Sequence, residues 1–235
     1  MKRFVSIFCM VFFLALQINA QEHHDYPEPT EYPNTSKDKF MVSLSFDNLF
    51  HKETNGFTTR WHSRGIGLHF MYDIPINNSK VSIAPGIGFS HSSYYHNSFI
   101  GEDSTGTFFT PIADFKDNDD FKRHKLTTNF IEIPLELRIR SNPDNKGNIW
   151  KVAFGFKAGL KLVATSKETR KIDGYFRKIK TKNYHDINLL RAGPTFRIGY
   201  GSFNLHAFYS VTNLFKKNKG PEMTPFSVGI TFTAL

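Results

Sequence analysis

The stretch Phe130–Arg140 alternates strictly between apolar and polar side chains. Its apolar positions are Ile131, Ile133, Leu135, Leu137 and Ile139. The intervening positions hold Glu132, Pro134, Glu136, Arg138 and Arg140. Successive side chains of a strand point to opposite faces, so this pattern predicts a strand with one apolar and one charged face. Two environments suit such a strand: a soluble sheet that buries the apolar face, or a membrane barrel that turns it toward lipid.

The N-terminus has the layout of a secretory signal peptide. Lys2 and Arg3 precede an apolar run over 4–16, and Ala20 offers a small residue before Gln21. The run is shorter than the roughly 20 residues that a membrane-spanning helix needs. We therefore expect residues 1–20 to be a signal peptide that is cleaved near Ala20.

Cysteine content narrows the chemistry available to the exported chain. Cys9 is the only cysteine, and it lies within the predicted signal peptide. The mature chain then has no disulfide framework, no thiolate nucleophile and no cysteine metal site. No later segment is long and apolar enough for a membrane helix, while the chain has 25 Phe and 16 Gly. An exported chain of this composition is typical of a transmembrane β-barrel, whose strands give a weak hydropathy signal.

Residues 21–38 are rich in Pro and Glu and contain few apolar side chains, and we expect them to form a disordered periplasmic lead-in. We interpret His23–His24 as a solvated pair rather than a metal site. The remaining residues, 39–235, are predicted to form one barrel domain.

Alternation like that of Phe130–Arg140 recurs in seven further segments. The eight predicted strands are 40–47, 65–74, 81–90, 130–140, 150–162, 190–200, 203–212 and 226–233. Most approach the 9–11 residues with which a tilted strand crosses a bilayer.

The connections between these strands are sorted by length. Long connections follow the first, third, fifth and seventh strands, at 51–61, 97–125, 165–185 and 213–224. Short ones follow the second, fourth and sixth, at 75–80, 141–148 and 201–202. This arrangement predicts an all-β fold: an eight-stranded antiparallel up-and-down transmembrane β-barrel with long extracellular loops and short periplasmic turns. A lipocalin-like soluble barrel is the alternative.

Three prolines conflict with this prediction, because a closed barrel has no edge strand to accept them. Pro85, Pro134 and Pro194 all lie inside predicted strands. We expect them at bulges or bends.

The polar face of the strands would line the lumen. The network that we predict there comprises Glu132, Glu136, Arg138, Lys157, Lys161, Arg191 and Arg197. Confined charges must be paired or solvated. Plausible registers of the 130–140 and 150–162 hairpin place Glu132 or Glu136 opposite Lys157 or Lys161. Because eight strands leave an interior only wide enough for side chains, we expect a filled structural core. The alternatives are a narrow solute pore, which the excess of bases would make anion-selective, or a ligand-binding barrel.

The connection 165–185 has seven basic and two acidic residues, so it could contact lipid phosphates or acidic glycans, or be simply solvated. Alternation at Tyr175–Phe176 and Ile179 suggests that a hairpin extends beyond the membrane. The acidic run Asp117–Asp120 lacks the spacing of a calcium loop. We expect no nucleic-acid partner, since the chain is exported and its basic residues follow no recognition helix.

Catalytic motifs are absent from the sequence, and we expect no enzymatic activity, no cofactor and no metal. One arrangement keeps a lipid-modifying enzyme open as an alternative: His91, Ser92, Ser93 and His96 at the outer end of the third strand. A nucleophilic serine needs a histidine and an acid that converge in space, which adjacency alone does not establish.

The segment NFIEIPLELRIR over 129–140 resembles the signature strand of the small PorT-like outer-membrane β-barrel family of Bacteroidetes-type bacteria. The segments SIAPGIGFS, FGFKAGLKL and FYSVTNLF, at 82–90, 154–162 and 208–215, are similar in style. The resemblance implies an outer-membrane barrel with a proline at Pro134. One member type serves the type IX secretion and gliding machinery. We therefore expect a non-enzymatic barrel with a structural or accessory role in secretion, in contact with outer-membrane lipid, lipopolysaccharide and secretion-machinery proteins.

Overall fold

The fold is known from a computed structural model. It describes residues 38–51, 57–77, 79–102, 106–112, 121–145, 147–172, 174–182 and 186–234. The predicted signal peptide, the lead-in up to residue 37, His23–His24 and the run Asp117–Asp120 lie outside the described residues.

Every regular element among the described residues is a β-strand. The strands are β1 Phe40–His51, β2 Arg64–Met71, β3 Ile74–Pro75, β4 Val81–His96, β5 Ser98–Glu102, β6 Thr107–Pro111, β7 Phe121–Arg140, β8 Trp150–Ile172, β9 Tyr175–Lys182, β10 Leu190–Tyr200, β11 Phe203–Tyr209 and β12 Met223–Ala234. Within the described ranges no helix is long and apolar enough to cross a membrane.

Eight of these strands close into a ring. The pairing runs β1–β2–β4–β7–β8–β10–β11–β12 and returns to β1, with each pair antiparallel. The predicted eight-stranded up-and-down barrel is therefore confirmed. Each of the eight strands overlaps one of the eight predicted segments, because the alternation that identified them follows the local strand geometry. β2 and β11 end earlier than predicted, at Met71 and Tyr209.

The two faces of β7 lie in opposite environments. Its apolar residues from Ile131 to Ile139 are exposed on the outside of the ring, up to 66% for Ile133. The alternating positions from Glu132 to Arg138 are buried inside, with Glu132 only 1% exposed. A sheet with its apolar face outward and its charges inward is stable where the outside is lipid rather than water.

Several strands extend beyond the predicted boundaries at the end of the barrel where the long connections lie, called here the long-loop end. β7 begins at Phe121 and β8 continues to Ile172, within segments that we predicted to be loops. β8 then pairs with β9, as the alternation at Tyr175–Phe176 suggested. Beyond the bilayer, backbone pairing no longer needs an apolar face, so the sequence pattern fades while the strand continues.

A separate two-stranded sheet, β5–β6, occupies the connection after β4. The sequence had predicted only a polar loop there. Five-residue strands give too short an alternation to be recognised among the surrounding polar residues.

β8 contains a β-bulge where its membrane part meets its extension. Asn129 pairs with Val163 and Phe130 pairs with Lys161, which leaves Leu162 as the extra residue. A bulge reverses which positions of the strand face outward. Thr165 and Lys167 therefore pair with Thr127 and Lys125 on the outer surface, although sequence parity groups them with the lumen position Lys161.

The three prolines lie where ladders are interrupted. Pro85 lies opposite the break between β2 and β3. The β4–β7 ladder has a gap between Pro85 and Gly88, so Pro134 has no ladder partner on β4. Pro194 lies just outside the β10–β11 ladder, which begins at Thr195. A missing N–H costs little where no acceptor faces it, so the closed ring tolerates all three.

Candidate functional site

The lumen contains two glutamate-centred ion networks. The first surrounds Glu132, whose Oε2 accepts from Lys157 Nζ at 3.2 Å and lies 3.0 Å from His69 Nε2. Its Oε1 accepts from Arg191, which also donates to Ser90 Oγ. Three donor groups from three other strands thus converge on one carboxylate.

The second network surrounds Glu136. Its Oε2 accepts from Arg138 Nε at 2.9 Å and from Arg197 at 2.8 Å. Arg197 also donates to Asn204 Oδ1 at 2.9 Å, so this network ties β7 to β10 and β11. Charges buried in this way are retained only when opposite charges and hydrogen bonds compensate them.

Ion pairs continue to the opposite end of the barrel, called here the short-turn end. Both carboxylate oxygens of Asp73 accept from Arg140 at 2.8 Å, and Oδ1 also accepts from Arg138 at 3.3 Å. Asp38 is buried and forms an ion pair with Lys151. The sequence assigned Asp38 to the lead-in and missed this contact, because no local pattern distinguishes one acidic residue at a boundary.

The predicted hairpin of β7 and β8 forms, but in a different register from the ones we considered. Gly159 is opposite Glu132 and Gly155 is opposite Glu136. The two glycines leave room for the glutamates: a Cβ on Gly159 would lie 3.1 Å from Glu132 Cγ. Lys157 reaches Glu132 diagonally, within the range of a long side chain.

Lys161 lies apart from both networks. Its ammonium donates to the carbonyl of Ile187 at 2.6 Å, at the long-loop end of the lumen. Of the seven predicted network residues, the structure therefore brings six into ion pairs with one another and places Lys161 against backbone.

Aromatic rings line the same charges. Arg191 lies over the ring of Phe130 at 4.2 Å, and Lys157 lies over the ring of Phe208 at 4.2 Å. Cation–π contacts of this kind add to the stabilisation of cations that are removed from water.

An apolar cluster fills the long-loop end of the barrel. It comprises Leu49, Phe57, Tyr94, Leu126, Ala164, Ile187, Leu214, Phe215 and Met223. Ile100 and Phe109, from the β5–β6 hairpin, pack against it. At the short-turn end Met41, Met71 and Ala84 form a second, smaller cluster. Between them a cavity of about 70 Å³ is lined by small and charged side chains, which is room for only a few water molecules.

The four residues that the sequence offered as a possible enzymatic site, His91, Ser92, Ser93 and His96, lie on two different faces of β4. Ser92 and His96 are buried on the lumen side of β4. His91 and Ser93 share the outer face, and Asn129 of β7 is directly opposite His91. The sequence did not indicate Asn129, because only strand pairing brings it beside His91.

A closed ring of eight strands with an apolar exterior and an ion-paired interior defines a transmembrane β-barrel. The family model described as "Outer membrane protein beta-barrel domain" matches residues 25–216, most of the chain. The chain belongs to this family, and it is an outer-membrane β-barrel. In such barrels the long loops face the cell exterior and the short turns the periplasm.

Among solved structures, the chain is similar to that of Ail, the attachment invasion locus protein of Yersinia pestis. The sequence identity is 10%, the alignment covers 82% of this chain and 95% of Ail, and the TM-score is 0.34. No curated protein matches the chain.

Proposed function

We propose that this protein is a sealed outer-membrane barrel with a structural or accessory role in protein secretion, and that its lumen neither conducts solutes nor performs chemistry. The observation that carries the proposal is the filled interior. Two glutamate networks occupy the middle of the barrel, and an apolar cluster occupies each end. A narrow pore would need a continuous polar path, whereas the described residues close the lumen with an apolar cluster at each end.

Because the lumen is filled, we infer that the protein binds its partners through its outer surface. The β8–β9 hairpin carries exposed Tyr175 and Phe176 at its tip, with Tyr175 76% exposed. Its exposed side chains include Lys171, Arg177 and Lys178. An aromatic tip on a basic stem is suited to bind an acidic partner, such as a secretion-machinery protein or the phosphates of lipopolysaccharide.

The PorT-like signature strand supports the secretion role, since one member type of that family serves type IX secretion. In a strain that lacks the gene, we expect cargo to accumulate in the periplasm and to disappear from the medium. The wild-type gene should restore secretion.

Two variants, each expressed in the deletion strain, distinguish the role of the hairpin in secretion from that of the barrel. One replaces 169–178 with an Asn-Gly turn, which shortens the hairpin and retains the β8–β9 pairing below it. It should fold, as heat-modifiable gel migration would show, yet fail to restore secretion. A Lys157→Glu variant that still folds should restore it. Normal secretion in the deletion strain would refute the role.

A further inference from the structure

We propose that the outer surface of the barrel carries a serine hydrolase site that cleaves acyl esters of phosphorylated membrane lipids. Ser93 is the nucleophile, His91 the general base and Asn129 the group that orients His91. The site lies on the opposite face of the sheet from the sealed lumen, so it goes beyond the scaffold role and does not depend on it.

The three side chains form a continuous hydrogen-bonded relay. Ser93 Oγ is 3.2 Å from His91 Nε2, and His91 Nδ1 is 2.8 Å from Asn129 Oδ1. Residues two apart on a strand share a face, which places Ser93 beside His91 on β4. Strand pairing then sets Asn129 of β7 directly opposite His91.

The second hydrogen bond of Asn129 selects the tautomer of His91. Asn129 Nδ2 donates to the carbonyl of Val163 at 3.4 Å, so Oδ1 is directed at the imidazole and accepts the proton on Nδ1. Nε2 then keeps its lone pair toward the Ser93 hydroxyl. This is the protonation state that a general base needs, and an amide fills the orienting position in the Cys-His-Asn proteases as well.

The relay lies just beyond the lipid-facing band. Phe89 and Ile131 are exposed on the same outer face, two residues along the strands from His91 and Asn129. Two residues of a strand span about 7 Å. The depth is therefore that of the boundary between acyl chains and headgroups, where the ester bonds of membrane lipids lie.

A row of lysines beside the relay specifies the charge of the substrate. Lys125, Lys167 and Lys180 are direct register partners across β7, β8 and β9. Like charges directly opposite one another are unfavourable unless an anion lies between them. A cleft of about 370 Å³ is lined by these lysines together with His91 and Asn129, so an anion held there adjoins the relay. A lipid phosphate is the anion found at this depth.

Taller side chains on the same face cover the nucleophile. Ser93 is 4% exposed, and its register partners are Arg64 on β2 and Thr127 on β7. Arg64 is exposed, and Ser93 Oγ lies 3.4 Å from Thr127 Oγ1, so an arriving lipid must move these neighbouring side chains aside to reach Ser93 Oγ.

The reaction follows the serine hydrolase sequence. Ser93 Oγ attacks the ester carbonyl carbon as its proton moves to His91 Nε2. The carbon–oxygen bond to the lipid alcohol then breaks, and that oxygen takes the proton from His91. Water attacks the acyl-Ser93 ester and gives one proton to His91, which returns it to Ser93 Oγ as the fatty acid leaves. One ester and one water yield one alcohol and one carboxylic acid.

The first experiment measures fatty acid release by the full-length refolded barrel in mixed micelles of detergent, phosphatidylethanolamine and phosphatidylglycerol. Ser93→Ala and His91→Ala should reduce release to the rate without protein. Asn129→Ala should lower kcat by about 10²-fold or more, and Asn129→Asp should restore much of it. Ser92→Ala, on the lumen side, is the matched control and should keep the wild-type rate. Wild-type release equal to that of Ser93→Ala overturns the proposal.

A covalent probe tests the nucleophile independently of substrate. A fluorophosphonate should label the folded wild-type barrel once, at Ser93 by mass spectrometry, and should not label Ser93→Ala. Heat-modifiable migration confirms that each variant is folded. Absence of the label from folded wild-type protein would also reject the site.

The lysine row is tested by comparing two substrates. A Lys125→Ala, Lys167→Ala, Lys180→Ala variant should raise KM for phosphatidylglycerol at least tenfold and leave KM for an uncharged p-nitrophenyl ester unchanged. An unchanged KM for both substrates would rule out the phosphorylated lipid as the specific substrate.

Discussion

At the scale of single residues, Glu132 connects more of the barrel than any other residue described above. It is buried, and it accepts from His69, Lys157 and Arg191, which belong to three different strands. Removing one member of a buried network leaves the other charges uncompensated, which costs more than the network contributes as a whole. Glu132 therefore determines whether the other charges of its network are tolerated.

We expect Glu132→Ala to lower the free energy of unfolding by about 3–5 kcal/mol, because Arg191 and Lys157 lose their carboxylate. Reversible urea unfolding in lipid vesicles measures this. Glu222→Ala, an exposed carboxylate, should change stability by less than about 0.5 kcal/mol. Similar losses in the two variants would contradict the role assigned to Glu132.

At the scale of elements, the outer end of β4 and the β5–β6 hairpin form a lid over the apolar cluster. His96 ends β4 and is buried, with its ring stacked on Phe57 at 5.9 Å and edge-on to Phe109 at 5.8 Å. Burial, together with the positive potential of His124 and Arg60, lowers the pKa of His96 to about 3. In the folded lid His96 is therefore neutral at any pH well above 3.

The lid should loosen in acid. An unfolded histidine titrates near 6.5, so between pH 6.5 and 3 the unfolded lid binds more protons than the folded one. The stability present above pH 6.5 is thus lost as the pH falls, by at most about 1.4 kcal/mol per pH unit. Hydrogen exchange of 98–111, corrected for intrinsic rates, should report the loss.

A His96→Phe variant is the control for the lid, since it keeps a ring in the cluster and removes the titration. Its hydrogen exchange should change less with pH than that of the wild type. An equal pH dependence in both proteins would assign the effect to other groups.

At the scale of the whole molecule, the described strands form a closed barrel whose interior is filled rather than open. The ring closes through β8–β10 and β12–β1, so its eight strands leave no free edge between them. Its interior is held by ion pairs in the middle and by apolar clusters at the ends. Eight strands suit this design, because they enclose only enough space for side chains.

Planar-bilayer recordings should accordingly show no stable conductance steps for the wild type. Lys157→Glu should be equally silent, since the apolar cluster at the long-loop end is unchanged. A porin in the same bilayers provides the positive control. Reproducible steps whose ion selectivity changes with Lys157→Glu would restore the pore alternative.

The local pattern of the sequence was sufficient to predict the eight barrel strands, their faces and the sorting of the connections. Alternation is a property of successive residues, so Phe130–Arg140 could be recognised without knowing its neighbours. The same parity put all seven network residues on the polar face, and the structure pairs six of them with one another. The β8–β9 hairpin was suggested by the alternation at Tyr175–Phe176 and Ile179. The outer extensions of β4 and β7 and the β5–β6 hairpin escaped prediction, because no lipid there demands an apolar face.

Only the tertiary structure decided which residues meet. The register set Gly159 opposite Glu132, the bulge at Leu162 turned Lys167 outward, and strand pairing brought Asn129 to His91. These contacts join residues that are distant in the chain, and a shift of one residue would move every side chain to the opposite face. The sequence by itself determined a membrane barrel and its two faces, whereas the pairing of strands decided which charges neutralise one another and which side chains converge on the rim.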